Sequence, residues 1–382
     1  MLDGQQSAIA GNRTLSYTLS KFEAESTDRF VMTASAPPRA KSSVMTRWVT
    51  RLSWVNLALL FVISALLFAV SENWWFSSAM TYAPRSPYVV PALLLLVLSV
   101  AYSRSAILVN LISIATVAGP IMGLTLPIAQ WTAAASDDLD GFKLKVLSCN
   151  VQDYKPDFAS VLAEIGRFNP DVVVMQDAWD RSKLLNSYFA EWHVVRHGEF
   201  FLASRYPARL VAVGHFEAFD RDGIIQCELE LPSTKVMFFN IHQMTPRHGL
   251  RALDISSPIT QRGSSQLSRY LILRAEEAGA TRDFVETNRG QAPTLIAGDF
   301  NMPCESSLYQ NNWFGFQNAF NIAGTGYGYS FPCTQQYCWP GGNPWLRLDH
   351  ILADDAWQVR SCVVGKANGS DHRLITSVLE LR

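Results

Sequence analysis

Leu295-Ile296-Ala297-Gly298-Asp299-Phe300-Asn301 is the stretch on which the architecture of this chain turns. Apolar residues run into a glycine, then a carboxylate, then an amide two positions on. A short apolar run starting near Ala292 and bounded by such residues reads as a strand buried on both faces. Polar residues at its end open onto a rim, where a buried scaffold holds charge in place.

Working outward, further segments also place polar residues at the ends of strands. Val146-Leu147-Ser148-Cys149-Asn150-Val151-Gln152 ends a strand in an amide. Val172-Val173-Val174-Met175-Gln176-Asp177 ends one in a carboxylate, and Phe238-Phe239-Asn240-Ile241-His242 ends one in an imidazole. Asp349-His350 and Ser370-Asp371-His372 bracket the final strands. Each pair alone is common, and solvated loop residues explain it; the ordered set carries the weight. Between these segments the pattern predicts strands at Lys143–Val151, Asp171–Met175, His193–His197, Glu199–Ser204, Leu210–Phe216, Gly223–Leu231, Lys235–His242, Leu346–Leu352, Trp357–Val364 and Leu374–Leu381. Helices are predicted at Asp157–Phe168 and Ser264–Asn288. In the second, Leu267, Leu271, Arg274 and Ala278 recur at spacings of three and four. This order points to an α/β (α+β) domain of packed sheets flanked by helices over 142–382.

Upstream the solvent changes. Residues 1–46 are rich in Ser, Thr and Ala without sustained apolar periodicity and read as a disordered tail. Residues 47–132 read as a transmembrane region. Leu52–Val70 is free of charge and spans a ~30 Å hydrocarbon core as a helix. Further uncharged runs follow at 87–102 and 105–131, the last interrupted by Gly119, Pro120 and Pro127. Arg39, Lys41, Arg47 and Arg51 precede the first span and place that end in the cytoplasm. With three spans the domain beyond the linker 133–141 faces outward, external or periplasmic; with two it faces inward.

The 382 residues suggest two or three structural units. Basic side chains are in excess before Ser136 and acidic ones after it, so the globular part is not built for nonspecific wrapping of nucleic acid. All six cysteines lie in the globular part and match no zinc spacing. Cys149 and Cys362 fall in apolar strands as buried thiols. Cys333 and Cys338 flank a short loop and could pair in an oxidising compartment.

The ordered motifs, above all Gly298-Asp299-Phe300-Asn301 followed by Ser370-Asp371-His372, resemble the endonuclease/exonuclease/phosphatase superfamily, across Lys143–Arg382. The resemblance implies a four-layer α/β sandwich of two packed mixed sheets, with the site at one end. It implies catalytic roles for Asn150, His242, Asp299, Asn301, Asp371 and His372. Asp299 orients water, Asn301 holds the phosphate, His242 faces a phosphate oxygen, and Asp371 orients the His372 imidazole. Asp177, Asp349 and Asn150 are implied around a Mg²⁺ or Mn²⁺ ion. Hard oxygens suit such ions, which offset phosphoryl charge, while amides and imidazoles donate to phosphoryl oxygens. Ser204-Arg205-Tyr206-Pro207 resembles a structural turn of the family.

Two positions depart from that pattern. Asp177 is one methylene shorter than the family's glutamate. Phe200 stands where a polar residue usually orients the equivalent of His242; Glu199 is adjacent, but strand alternation points it to the opposite face. For substrate, Arg247, Trp339, Trp345 and Arg347 are candidates within loops rich in arginine and aromatics. Three readings follow. The first is a membrane-anchored phosphodiesterase or nuclease. The second is a lipid or inositol phosphate phosphatase or diesterase. The third is a non-catalytic membrane binding module. The implied partners are a phosphoester (nucleic acid, phospholipid or phosphosugar) and the lipid bilayer, with no stable protein partner.

Overall fold

Strand β1 (Lys143–Asn150) shows how the layers arise. Its Leu144 and Val146 enter one apolar core, and its Leu147 and Cys149 enter another. Successive side chains leave opposite faces of a strand, so a strand apolar at every position must be covered on both sides. The computed structural model describes residues 39–127, 141–152, 158–179, 183–253, 261–333 and 343–382.

The remaining strands are β2 (Val172–Gln176), β3 (His193–His197), β4 (Phe200–Ser204), β5 (Ala208–Phe216), β6 (Arg221–Glu230), β7 (Lys235–His242), β8 (Thr294–Asp299), β9 (Gln317–Asn318), β10 (Asp349–Ala353), β11 (Trp357–Val364) and β12 (Ile375–Leu381). They form two six-stranded sheets, ordered β11-β12-β1-β2-β4-β3 and β5-β6-β7-β8-β10-β9. Each sheet contains one parallel pair, β1 with β2 and β7 with β8. A parallel pair needs a crossover. Helix Phe158–Phe168 supplies the first and helix Arg262–Asn288 the second.

Between the sheets lies the central core, with Val146, Val174, Leu202, Phe238, Leu295 and Ile351. Fully burying such a side chain is worth about 1.5–3 kcal/mol. Outside one sheet, Val161, Leu162 and Ile165 of the first crossover helix cover Leu147, Val173 and Phe201. Outside the other, Ala278 and Val285 of the second share a core with Phe239, Ile241 and Ile296. Helix, sheet, sheet and helix give the four layers expected from the motifs.

The N-terminal part is helical: α1 (Arg39–Ala65), α2 (Trp75–Tyr82), α3 (Val89–Tyr102) and α4 (Arg104–Thr116). Two stretches, Val44–Asn73 and Arg104–Ile121, are long and apolar enough to cross a membrane. Trp75–Tyr82 and Ser86–Tyr102 form a further pair bent by 95°. Asn110 Nδ2 donates to Ser53 Oγ (2.9 Å) and Ser99 Oγ (2.8 Å), joining α1, α3 and α4 through a buried amide.

The structure corrects two boundaries. Helix α1 begins at Arg39, inside the segment expected to be tail. The third apolar run ends its helix at Ile121 rather than 131. Pro120 lacks an N–H and crowds the preceding turn, and Thr125 then pairs with Gly326 of the globular domain. The remaining tail, the linker from 133 to 140 and Cys338 lie outside the described residues.

Gly298 shows why the key strand carries a glycine before its carboxylate. Its φ is +153°, and a Cβ there would lie 1.9 Å from Ile241 O on β7. Close approach of the parallel strands excludes every other residue. Gly298→Ala is therefore expected to cost at least about 2 kcal/mol through forced separation of β7 and β8. Thermal unfolding followed by circular dichroism measures this; an unchanged midpoint contradicts it.

Candidate active site

Strand parity decides which polar side chains reach the space between the sheets. On β8, Leu295 and Ala297 enter the central core, so Asp299 leaves on the same face. By the same parity Asn150 follows Leu144 and Val146, His242 follows Phe238, and Asp349 shares a face with Ile351. Register then aligns them. His242 pairs with Asp299 across β7 and β8, and Asp349 with Asp299 across β8 and β10. Asn150 pairs with Gln176 in the facing sheet. Beneath this row the apolar core gives way to a polar layer. Gln176 Nε2 donates to Asn240 Oδ1 (2.7 Å), and Asn240 Nδ2 donates to Met175 O (3.1 Å), tying the sheets together.

Asp299 sits at the centre, 1% exposed. Its Oδ2 accepts from Asn150 Nδ2 (3.1 Å) and Asn301 Nδ2 (3.1 Å), and its Oδ1 accepts from Asn301 N (2.9 Å). His372 Nε2 and His242 Nε2 lie 3.6 and 3.8 Å from Oδ2. Burial raises the Asp299 pKa above the usual carboxylate range, a shift that His372 opposes and Asp349 reinforces. For His372, burial favours the neutral ring. Asp349 and Asp299 outweigh it and push the imidazole up to about 10.

The carboxylate that orients His372 is Asp349, not Asp371. His372 Nδ1 and Asp349 Oδ2 are 2.8 Å apart. Asp371, like His372, lines the pocket. Backbone bonds hold the Ser370–His372 segment: His372 N donates to Ser370 Oγ (3.1 Å), and Ser370 Oγ donates to Asn150 O (2.7 Å).

His242 has the polar partner that alternation argued against. Its Nδ1 lies 3.1 Å from Glu199 Oε2. Register pairs His197 with Phe200, so Gly198 and Glu199 form a two-residue hairpin loop, with Gly198 at φ +53°. Glu199 is thus in a turn, where strand parity does not apply. Phe200 does face the central core, as alternation requires. Glu199 also pairs with Arg221, whose Nη1 donates to His242 O (2.8 Å). Burial would raise the Glu199 pKa and lower that of His242, yet their mutual attraction lowers the first and raises the second.

Asn150, Arg221, His242, Asp299, Asn301 and His372 line a pocket of ≈ 260 Å³, together with Gln152, Asp177, Gln243, Arg247 and Asp371. Gln152, Asp177 and Asn301 all have positive φ (+47°, +53° and +53°), a concentration of unusual backbone typical of functional sites. Trp179 Nε1 donates to Asp177 Oδ1 (3.2 Å). Asp299, Asp349 and His372 present ligand atoms within 4.8 Å of one another and could hold a metal ion. The wider donor set also fits a hard cation. Asp349 Oδ1 is buried without a hydrogen-bond partner among the described residues, and several carboxylates crowd a space that costs dearly to charge unpaired.

Of the substrate candidates, Arg247 lines this pocket. Trp345 does not: its Nε1 donates to Tyr82 O (3.1 Å), and its ring lines a neighbouring apolar pocket. Arg347 is 5% exposed. It donates to Cys304 Sγ and Asn321 Oδ1 (both 2.6 Å) and covers the Phe320 ring, so it braces a loop rather than meeting substrate. Trp339 lies outside the described residues.

Sequence reasoning missed the support beneath Asn301. Arg274 donates to Asn301 O (2.7 Å), Met244 O (2.9 Å) and the Tyr82 hydroxyl (2.9 Å). Tyr82 in turn donates to Glu72 Oε1 (2.6 Å). The N-terminal helices therefore reach the backbone of the site. One signal was present: Arg274 falls on the apolar stripe of its helix, where an arginine needs buried partners.

Residues 147–372 match the model of the Endonuclease/Exonuclease/phosphatase family. No curated protein matches the chain. Among solved structures, the chain is similar to an endonuclease/exonuclease/phosphatase from Beutenbergia cavernae, at 16% identity over 63% of this chain and 72% of that one, with a TM-score of 0.43. It is similar to truncated Caenorhabditis elegans TDP2, at 18% identity over 63% and 98%, TM-score 0.45. It is also similar to a 3'-5' exonuclease from Neisseria meningitidis, at 18% identity over 61% and 98%, TM-score 0.45.

Glu199→Ala leaves Arg221 beside His242 with one shared counter-charge removed. Breaking a buried pair in this way costs about 3–5 kcal/mol. The expected result is a lower urea midpoint with an unchanged slope; an unaltered midpoint removes Glu199 from this role.

Proposed function

From the membership of this chain in the endonuclease/exonuclease/phosphatase family, whose members are phosphoester hydrolases, we propose that it is a membrane-anchored, divalent-metal-dependent phosphoesterase. The observation that carries this reading is the convergence of Asn150, His242, Asn301 and His372 around the buried Asp299 carboxylate. In the proposed reaction a phosphodiester lies across the pocket mouth. Asp299 accepts a hydrogen bond from the attacking water and orients it in line with the leaving oxygen. Its raised proton affinity suits it to take the proton as the bond forms. His372, held charged by Asp349, donates to a phosphoryl oxygen, and His242, held by Glu199, donates to another. Asn150 and Asn301 place two donors on Oδ2 of the carboxylate, and Oδ1, which accepts from Asn301 N, keeps a lone pair for the water.

Asp177, Asp371 and Asn150, which line the pocket, would hold the metal ion together with the unpartnered Asp349 Oδ1. Both His372 nitrogens face carboxylates, so a charged His372 has no lone pair to offer as a ligand. A bound Mg²⁺ or Mn²⁺ would offset phosphoryl charge. The basic residues ahead of the first span support an outward-facing domain if the bent pair crosses the membrane.

The test uses the full-length protein with Mg²⁺ on a panel of phosphodiesters. Asp299→Ala and His372→Ala are each expected to lower kcat by roughly 10²–10⁴ with the fold retained. Chelation should abolish turnover, and added Mg²⁺ or Mn²⁺ should restore it. Wild-type rates in Asp299→Ala, or full activity in chelator, rule the reading out.

A further inference from the structure

Beside the polar pocket lies a second pocket of ≈ 300 Å³, and its chemistry is the opposite. Tyr82, Pro246, Leu250, Trp345, Leu346 and Leu348 line it. Thr245, Arg247 and Phe331 line both pockets, so the two adjoin. Phe331 is the shared wall. Its ring centroid lies 4.7 Å from that of His372 on one side, and it joins the apolar cluster of Tyr82, Leu346 and Leu348 on the other. A ligand held by its phosphoryl group beside His372 therefore has an apolar channel leading away from it.

One wall of this channel is not made by the globular domain. Tyr82 ends α2, the short arm of the bent helical pair, and its carbonyl takes the Trp345 indole N–H. The channel thus opens at the junction with the helices that are apolar enough to enter a bilayer. Arg247 and Arg251 stand on the same rim and complement an anionic group. Four aliphatic side chains and the rings of Tyr82, Phe331 and Trp345 make up most of the lining, and the acidic balance of the globular domain disfavours a polynucleotide.

We infer that this apolar pocket is a substrate subsite that takes the hydrocarbon portion of a membrane lipid phosphoester while the phosphoryl group occupies the polar pocket. The inference rests on the phosphoesterase reading and names its substrate class. The N-terminal helices then serve two ends: they hold the enzyme at the bilayer, and through Tyr82 they complete the site.

The experiment uses the full-length protein in an amphipathic polymer free of detergent and lipid. Binding of n-alkyl phosphates from methyl to octyl is measured by calorimetry with Mg²⁺, and turnover is measured on the matching alkyl p-nitrophenyl phosphodiesters. Affinity and kcat/KM are expected to rise by up to about fourfold per methylene until the pocket is full. Leu250→Trp, which fills the pocket, and Leu250→Asp, which charges it, should both flatten the slope. A flat slope in the wild type, with the methyl ester still turned over, overturns the subsite and leaves the phosphoesterase reading standing. Absence of turnover on every ester, with chain-dependent binding that Leu250→Trp removes, sinks the hydrolase reading and keeps the pocket. Faster turnover of thymidine p-nitrophenyl phosphate than of the octyl ester overturns the lipid assignment.

Discussion

A single buried carboxylate sets the terms for the rest of this structure. Asp299 is withdrawn from water, and a bare charge there would cost far more than a domain's net stability. It is tolerated because donors come to it from both sheets: Asn150 from one, His242 and Asn301 from the other, and His372 from the loop before β12. No one of these elements can hold the charge alone. Bringing them together requires two sheets packed face to face, with strands that end at the same level. The polar layer of Gln176 and Asn240 joins the sheets just beneath that level. The central core therefore changes from apolar to polar along the strands, and the site is where this gradient reaches the surface.

The same accounting reaches the helices outside the sandwich. Arg274 is 2% exposed and spends its donors on Asn301 O, Met244 O and the Tyr82 hydroxyl. It holds two loops that flank the pocket and one side chain from α2. Arg85, from the turn after α2, pairs with Glu305 (2.6 Å), four residues beyond Asn301. Glu72 Oε2 accepts from Leu308 N (3.3 Å). The helical region is thus seated on the segment that follows the key strand through buried, charge-assisted bonds, which resist screening better than surface pairs. A helical region joined in this way fixes the orientation of the pocket relative to α2. A flexible tether would not.

Much of the fold was legible because it rests on local periodicity. Val172–Gln176 and Thr294–Asp299 are short apolar runs between turn residues, and both are strands. The crossover helix at Arg262–Asn288 was legible from its stripe of apolar positions. What was missed was short: β9 has two residues, and the helices Ser307–Trp313 and Ala319–Ala323 are too brief to show a period. In the site, residue types and strand-end positions were legible and pairings were not. Asp371 is the neighbour of His372 in sequence, yet the carboxylate hydrogen-bonded to the ring is that of Asp349, on β10. Glu199 was set aside by strand alternation because nothing in its neighbours says that the strand starts one residue later. Arg347 lies two residues before Asp349, but it is buried and its Nη2 donates to Cys304 and Asn321.

By itself the sequence determined which segments are strands, which helices are apolar enough for a bilayer, and which polar residues stand at strand ends. Those properties follow from hydrophobic periods and steric limits that act over a few residues. Only the tertiary structure decided which carboxylate meets which imidazole, that Glu199 serves His242, and that Tyr82 closes an apolar pocket beside the polar one. Such pairings depend on distances of about 3 Å between residues far apart in the chain. They are set by sheet register, turn conformation and the docking of helices, which no local pattern specifies.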